Sequence, residues 1–197
     1  MSSQQSSLHW FEKTVEYAFV IKHALHLADA IPLAGNHEKA GDAIFNIAGA
    51  RWVLIEFKRA QGNLDTEYGK YSDYDVAEAA LHHCGDRLHF FIYGEIDGKQ
   101  LTLKAAKYWQ RTPLTSIDSL LQGEGTDSPV EFQAYLSEVV ARKKDGGGGG
   151  GGGGGGVDFS VVAAVGADGK VRAVAPSSEV SGPTNEHSPG SATRPSR

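Results

Sequence analysis

Between residues 41 and 59 the chain reads GDAIFNIAGARWVLIEFKR, two apolar runs joined by small residues. The runs at 43–47 and 52–57, around Ala48-Gly49-Ala50, predict a β-hairpin with a three-residue loop. With Gly49 at the tip, Ile47 faces Arg51, Ile44 faces Leu54 and Asp42 faces Glu56. Side chains alternate across a strand, so Ala43, Phe45, Ile47, Val53, Ile55 and Phe57 form one wholly apolar face. The other face carries Asp42, Ile44, Asn46, Trp52, Leu54, Glu56 and Lys58. A slip of one residue would scramble both faces, so the pattern itself selects the register.

The remaining pattern predicts elements on either side of this hairpin. Residues 8–30 read as a helix with a stripe of Phe11, Val15, Ala18 and Leu25, and 32–40 as a loop around Gly35-Asn36. Residues 66–83 read as a second helix that stops at Cys84-Gly85. Residues 88–96, LHFFIYGEI, are apolar on both faces, which predicts a central strand, and Asp97-Gly98 turns into a further strand at 99–104. One strand of the sheet is not obvious before Asp42; the piece at 31–34 is the available segment. A short helix is expected at 117–121. Ser128-Pro129-Val130-Glu131 opens another with a capping box and an apolar face of Phe132, Tyr135, Leu136, Val139 and Val140.

Beyond these, residues 146–156 are eleven consecutive glycines, a composition suited to a flexible linker. Residues 157–175 carry a hairpin signal around Asp168-Gly169, and a lone hairpin is marginal in water, so docking on the main domain is expected. Residues 176–197, rich in Ser, Pro and Gly, are expected to be disordered. The organisation is therefore an α/β domain over 1–145, a linker, a C-terminal β-hairpin and a tail.

Composition narrows the partners. With 197 residues and 40% hydrophobic content, one core-forming domain is expected. A net charge of −5 argues against a broadly basic nucleic-acid surface, though a local patch is compatible with it. The single cysteine, Cys84, excludes an intramolecular disulfide and fits a reducing cytoplasm. The N-terminal stretch has neither a basic nor an apolar region of the kind a signal peptide needs, and no apolar run is long enough for a membrane span.

The polar end of the hairpin concentrates chemistry. Asp42 and Glu56 repel unless something positive lies between them, and a hard divalent cation is one solution. Lys58, two positions after Glu56 on the same face, supplies a point charge for a phosphate. An aspartate followed about a dozen residues later by Glu-x-Lys on the next strand resembles the PD-(D/E)xK phosphodiesterase superfamily, the restriction-endonuclease-like nucleases. The resemblance covers about residues 7–109, and Gly41 stands where the family has a proline.

That resemblance implies an αβββαβ core, a mixed sheet flanked by helices. It also implies Mg²⁺ (or Mn²⁺) at Asp42 and Glu56, and catalysis by Asp42, Glu56 and Lys58. The first helix of the family often lends a glutamate to the metal, which points to Glu12 and, second, Glu16. The helix after the Glu-x-Lys strand often lends a basic or amide group, which points to Lys70. The implied activity is endonuclease or exonuclease hydrolysis of DNA phosphodiesters, with RNA a further substrate class, in bacterial defence or DNA processing. An acidic chain acting on DNA would need a homodimer or a partner protein to bind tightly.

Each feature has a plainer account. Glu12 and Glu16 suit the dipole of a helix start, Lys70 pairs with Glu67 at i,i+3, and the corner is then an ordinary ion pair. Lys104, Lys107 and Arg111, interleaved with Tyr108 and Trp109, offer phosphate and base contacts, or else an edge strand guarded by lysines. Arg142, Lys143 and Lys144 close the last helix and suit its dipole. His82, His83 and His89 surround Cys84 at a spacing that fits no usual zinc pair. The alternative to a nuclease is a catalytically inactive module of the same fold that binds nucleic acid or protein.

Overall fold

The β-hairpin at residues 43–60 forms in the expected register. In a computed structural model, which describes residues 9–33, 40–47, 51–98, 100–144, 162–166 and 171–174, strands β2 (Ala43–Ile47) and β3 (Arg51–Ala60) pair antiparallel. Ile47 lies opposite Arg51, Phe45 opposite Val53 and Ile44 opposite Leu54. The hairpin tip, the loop at 34–39, the glycine run and the C-terminal tail lie outside the described residues.

The first helix is shorter than expected. α1 covers Glu12–His23, a 3-10 turn follows at Ala24–His26, and β1 takes Leu27–Pro32. Leu27 and Ile31 alternate with half-buried residues, and β1 pairs antiparallel with β2 from Leu27↔Ile47 to Pro32↔Ala43. The reason is tertiary: β2 needs a partner on its second edge, and this outweighs the helical tendency of 24–30. The buried column of α1 is Val15, Phe19 and His23, whereas Phe11 and Leu25 of the expected stripe are exposed.

The second helix is displaced C-terminally. Residues Gln61–Lys70 form 3-10 turns, and α2 covers Tyr74–Leu88, capped by Asp73, whose carboxylate accepts from Val76 N. Gly85 does not end the helix but lies inside it. A Cβ there would stand 2.2 Å from Trp109 Nε1 and 2.7 Å from the Tyr135 hydroxyl, so the glycine is required by close approach. α2 crosses over to β4 (His89–Asp97), which is parallel to β3, and Gly98, at φ +62°, turns the chain into the antiparallel β5 (Gln100–Lys107).

The sheet runs β5-β4-β3-β2-β1. Its apolar face, with Phe45, Ile55, Phe57, Phe90 and Ile92, is covered by α1 and by α3 (Ile117–Gly123). The other face, with Ile44, Leu54, Phe91 and Ala106, is covered by α2 and by α4 (Pro129–Arg142). The protein is thus an α/β fold, a mixed open sheet with helices on both sides. Two short strands, β6 (Val162–Gly166) and β7 (Val171–Val174), run antiparallel to each other with β6 beside β1. Ser128 caps α4 by accepting from Glu131 N, but Glu131 turns away from the return half of the capping box to bind Thr126 Oγ1 at 2.7 Å. No described helix is long and apolar enough to cross a membrane.

Gly85→Ala tests the close approach. Ala gains about 1 kcal/mol over Gly in a helix interior, while forcing a methyl into a filled core costs about 1–3 kcal/mol or more. Contacts of 2.2 and 2.7 Å to large, hydrogen-bonded side chains make the second effect the winner. Urea unfolding should therefore show a loss of roughly 1–2 kcal/mol, and a gain would contradict this packing.

Candidate functional site

Alternation along β3 puts Glu56 and Lys58 on the α2/α4 side of the sheet, while Phe57 between them points into the α1 side. Neighbours Phe91 and Tyr93 on β4 wall them in, and both are buried. Asp42 precedes β2 and is fixed by its backbone: its N–H donates to Ile55 O at 3.1 Å and its carbonyl accepts from Leu33 N at 2.9 Å. Its carboxylate accepts a 2.6 Å hydrogen bond from Phe57 N, the amide between Glu56 and Lys58. Asp42, Glu56 and Lys58 are thus brought to one corner, and Lys70 joins them from the 3-10 turns.

Two further residues complete the cluster. Glu67 is fully buried, with Oε1 2.7 Å from both Lys58 Nζ and Lys70 Nζ and Oε2 accepting from the Tyr108 hydroxyl at 2.9 Å. Glu56 Oε1 accepts from the same two ammonium groups, each at 2.7 Å. Lys143, buried at the end of α4, lies 3.6 Å from Glu67 Oε2 and over the rings of Tyr71 and Tyr108. It is held there by main-chain bonds: Ser72 N donates to Arg142 O, and Lys144 N to Lys70 O. Three carboxylates and three ammonium groups therefore share one corner, buried at Glu56, Lys58, Glu67 and Lys143, half-buried at Asp42 and open to solvent at Lys70.

The two glutamates divide the protonation between them. Burial, with the carboxylates of Glu67 and Asp42 nearby, raises Glu56 from 4.5 to about 7. Burial acts on Glu67 too, but Lys143, the hydrogen bond with Glu56, Lys58 and Lys70 together hold it well below the usual range. Glu56 Oε2 lacks a hydrogen-bond donor, whereas Glu67 Oε1 already faces the ammonium groups of Lys58 and Lys70. A proton held on Glu56 satisfies that oxygen by donating toward Glu67, so the pair titrates as a unit. Burial raises Asp42 as well, against the pull of the Phe57 amide. Burial lowers Lys143, while Lys58 and Lys70 overcome burial through Glu56 and Glu67 and are raised.

The other expected residues do not join the cluster. Glu12 is exposed at the start of α1, across the sheet; its charge acts on Asp42, but no hydrogen bond or ion pair links the two among the described residues. Glu16 pairs with Lys13 at 2.6 Å. Lys104 lies 3.3 Å from Glu95 and Lys107 3.9 Å from Asp86, and the two flank opposite faces of β5. Arg111, at φ 51°, stacks 3.8 Å from the Tyr68 ring centre, donates to the Tyr74 hydroxyl and pairs with Asp65. Tyr108 and Trp109 are core residues. The three cations thus form no common nucleic-acid surface. His89 is also buried, stacked on Tyr108 and bonded to Tyr135, while Cys84 is exposed.

Glu67 and Lys143 are the members the sequence did not reveal. Glu67 had one signal, its i,i+3 spacing to Lys70, which reads as a surface pair until the 3-10 turns fold it inward. Lys143 had none, since cations at a helix end need no further reason. Among the described residues no three of His, Cys, Asp and Glu converge as a ready metal cage. Asp42 and Glu56, with the unpartnered Glu56 oxygen, still offer hard oxygen donors of the kind Mg²⁺ or Mn²⁺ takes. Comparison with known protein families, with characterised proteins and with solved structures finds no match.

The protonation of Glu56 has a measurable consequence. A carboxyl raised on folding binds its proton in the native state over pH values where the unfolded chain has lost it, so stability falls as pH rises from about 4.5 through 7. His89 and His23, lowered by burial, slope the opposite way, so the difference between wild type and Glu56→Gln isolates the effect. Relative to wild type, Glu56→Gln should gain on the order of 2–3 kcal/mol between pH 5 and pH 8. A difference that does not change with pH would refute the shared proton.

Proposed function

We propose that this protein is a divalent-metal-dependent nuclease that hydrolyses DNA phosphodiesters. The observation that carries the reading is the meeting of Asp42, Glu56 and Lys58 at one buried corner, fixed by the Phe57 amide. The element order α1-β1-β2-β3-α2-β4 supports it, being the αβββαβ plan that the Asp and Glu-x-Lys resemblance implies. The paired strands β6 and β7 are then the C-terminal hairpin, widening the sheet beyond β1.

Asp42 and Glu56 would hold Mg²⁺ or Mn²⁺, which when bound supplies Lewis-acid polarisation of the phosphate and a more acidic water. Lys58 orients the attacking water through its ammonium and, with Lys70, balances the negative charge that gathers on the phosphoryl oxygens during in-line attack. Glu67 holds both ammonium groups in place from behind. Glu56 would hold such a cation only as a carboxylate, in competition with its own proton, so affinity for the cation should climb as pH passes about 7.

The charge balance favours a second reading. Glu56 Oε1 is already satisfied by two lysines, and the corner matches three carboxyl groups with three ammonium groups. Such a cluster could serve only to join β3, the 3-10 turns and α4 in a binding module without catalysis.

Cleavage of plasmid, single-stranded DNA and RNA with Mg²⁺ or Mn²⁺ separates the two. The nuclease reading expects cutting by wild type and a loss of about 10²–10³-fold in Lys58→Ala. Mn²⁺ should also raise the melting temperature by several degrees, and Asp42→Ala should abolish that rise. No cutting and no thermal response, with DNA still retarded on a gel, would establish the binding module instead.

A further inference from the structure

α1 has two apolar faces and the domain uses one. Val15, Phe19 and His23 pack on the sheet. On the outer side Phe11 is 77% exposed, Tyr17 62%, Ile21 79% and Leu25 98%. Phe11, Thr14, Ala18, Ile21 and Leu25 follow one another at intervals of three and four residues, the seam spacing of a coiled coil. Scattered surface hydrophobics are ordinary, but three large ones on one seam, Ile21 within α1, Phe11 at its N-cap and Leu25 in the 3-10 turn that follows, with Tyr17 flanking them, form a patch of the kind that marks an interface.

The seam is nearly symmetric about Ala18: Phe11 and Leu25 lie seven residues to either side of it. An antiparallel second helix of the same sequence would place Ala18 on Ala18, where small side chains let the backbones approach. Each Phe11 would then meet the partner's Leu25. The same arrangement brings Glu12, in the acidic first turn, toward Lys22 and His26 at the basic end of the other copy. It also opposes the two helix dipoles. Two aromatic and two aliphatic side chains this exposed would remove on the order of 600 Å² per protomer from water, close to the roughly 800 Å² per partner of a standard interface.

We propose that the outer face of α1 is the two-fold interface of a homodimer, packed antiparallel about Ala18. An isologous contact of this kind closes on itself and stops at two copies. It stands independently of any catalytic reading, because the face lies on the far side of α1 from the sheet.

Sedimentation of the full chain from about 1 to 200 μM should show a monomer–dimer equilibrium with a dissociation constant in the micromolar range. Ile21→Glu, at an exposed position, should keep the wild-type circular dichroism and weaken dimerisation at least tenfold. Orientation is read by oxidative cross-linking in a Cys84→Ser background. Ala18→Cys should give a disulfide-linked dimer. Leu25→Cys should not, because the two copies of residue 25 would lie about 20 Å apart along antiparallel helices. Wild type monomeric throughout, a dimer indifferent to Ile21→Glu, or cross-linking at residue 25 would each overturn the proposal.

Discussion

Glu56 and Glu67 are buried almost completely, and two like charges at that depth cannot coexist without compensation. The fold supplies it from three directions: Lys58 from β3 itself, Lys70 from the end of the 3-10 turns and Lys143 from the end of α4. Bringing charged groups out of water costs several kcal/mol each, and only mutual pairing with further hydrogen bonds recovers it. The corner therefore constrains everything around it. The 3-10 turns must fold back over β3, the bridge between Tyr71 and Lys143 must close, and Tyr108 must direct its hydroxyl at Glu67. Replacing a buried ionic cluster by well-packed apolar side chains is often neutral or stabilising, so such a cluster is weak evidence for stability.

Legibility in the sequence followed locality. The register of β2 and β3 and the division of their faces could be read directly, because alternation over ten residues leaves one pairing that buries every apolar side chain. The strand at His89–Asp97 and its turn at Asp97-Gly98 were legible from other local signals, a run apolar on both faces and a turn dipeptide, and the short α3 from the segment at 117–121. β1 was legible only at the piece 31–34, because the apolar residues of LADAIP do not alternate with polar ones, and only the open edge of β2 decides its state. Gly85 misled, since a glycine that ends a helix and one that admits a tryptophan look identical along the chain.

The candidate site divides along the same line. Asp42, Glu56 and Lys58 belong to one hairpin and were visible together. Lys70 was visible only through the resemblance, and Glu67 and Lys143 only once distant segments met. The basic and aromatic stretch at 104–111 failed instructively. Strand alternation sends Lys104 and Lys107 to opposite faces, and Arg111 is consumed by Tyr68, Tyr74 and Asp65. A cluster of cations in sequence becomes a surface only when the local structure gives them one side.

The two glutamates are treated unequally by the fold. Lys143 stands at ion-pair distance from Glu67, whose other contacts are Lys58, Lys70 and the Tyr108 hydroxyl, so Glu67 remains an anion while Glu56 retains a proton near neutrality. Lys58 and Lys70 are then anchored by Glu67 whatever happens at Glu56. A proton can leave Glu56 without releasing the ammonium groups or leaving them uncompensated. A symmetric pair of glutamates would lack this property, since any ligand that engaged one would have to break the pairing of both.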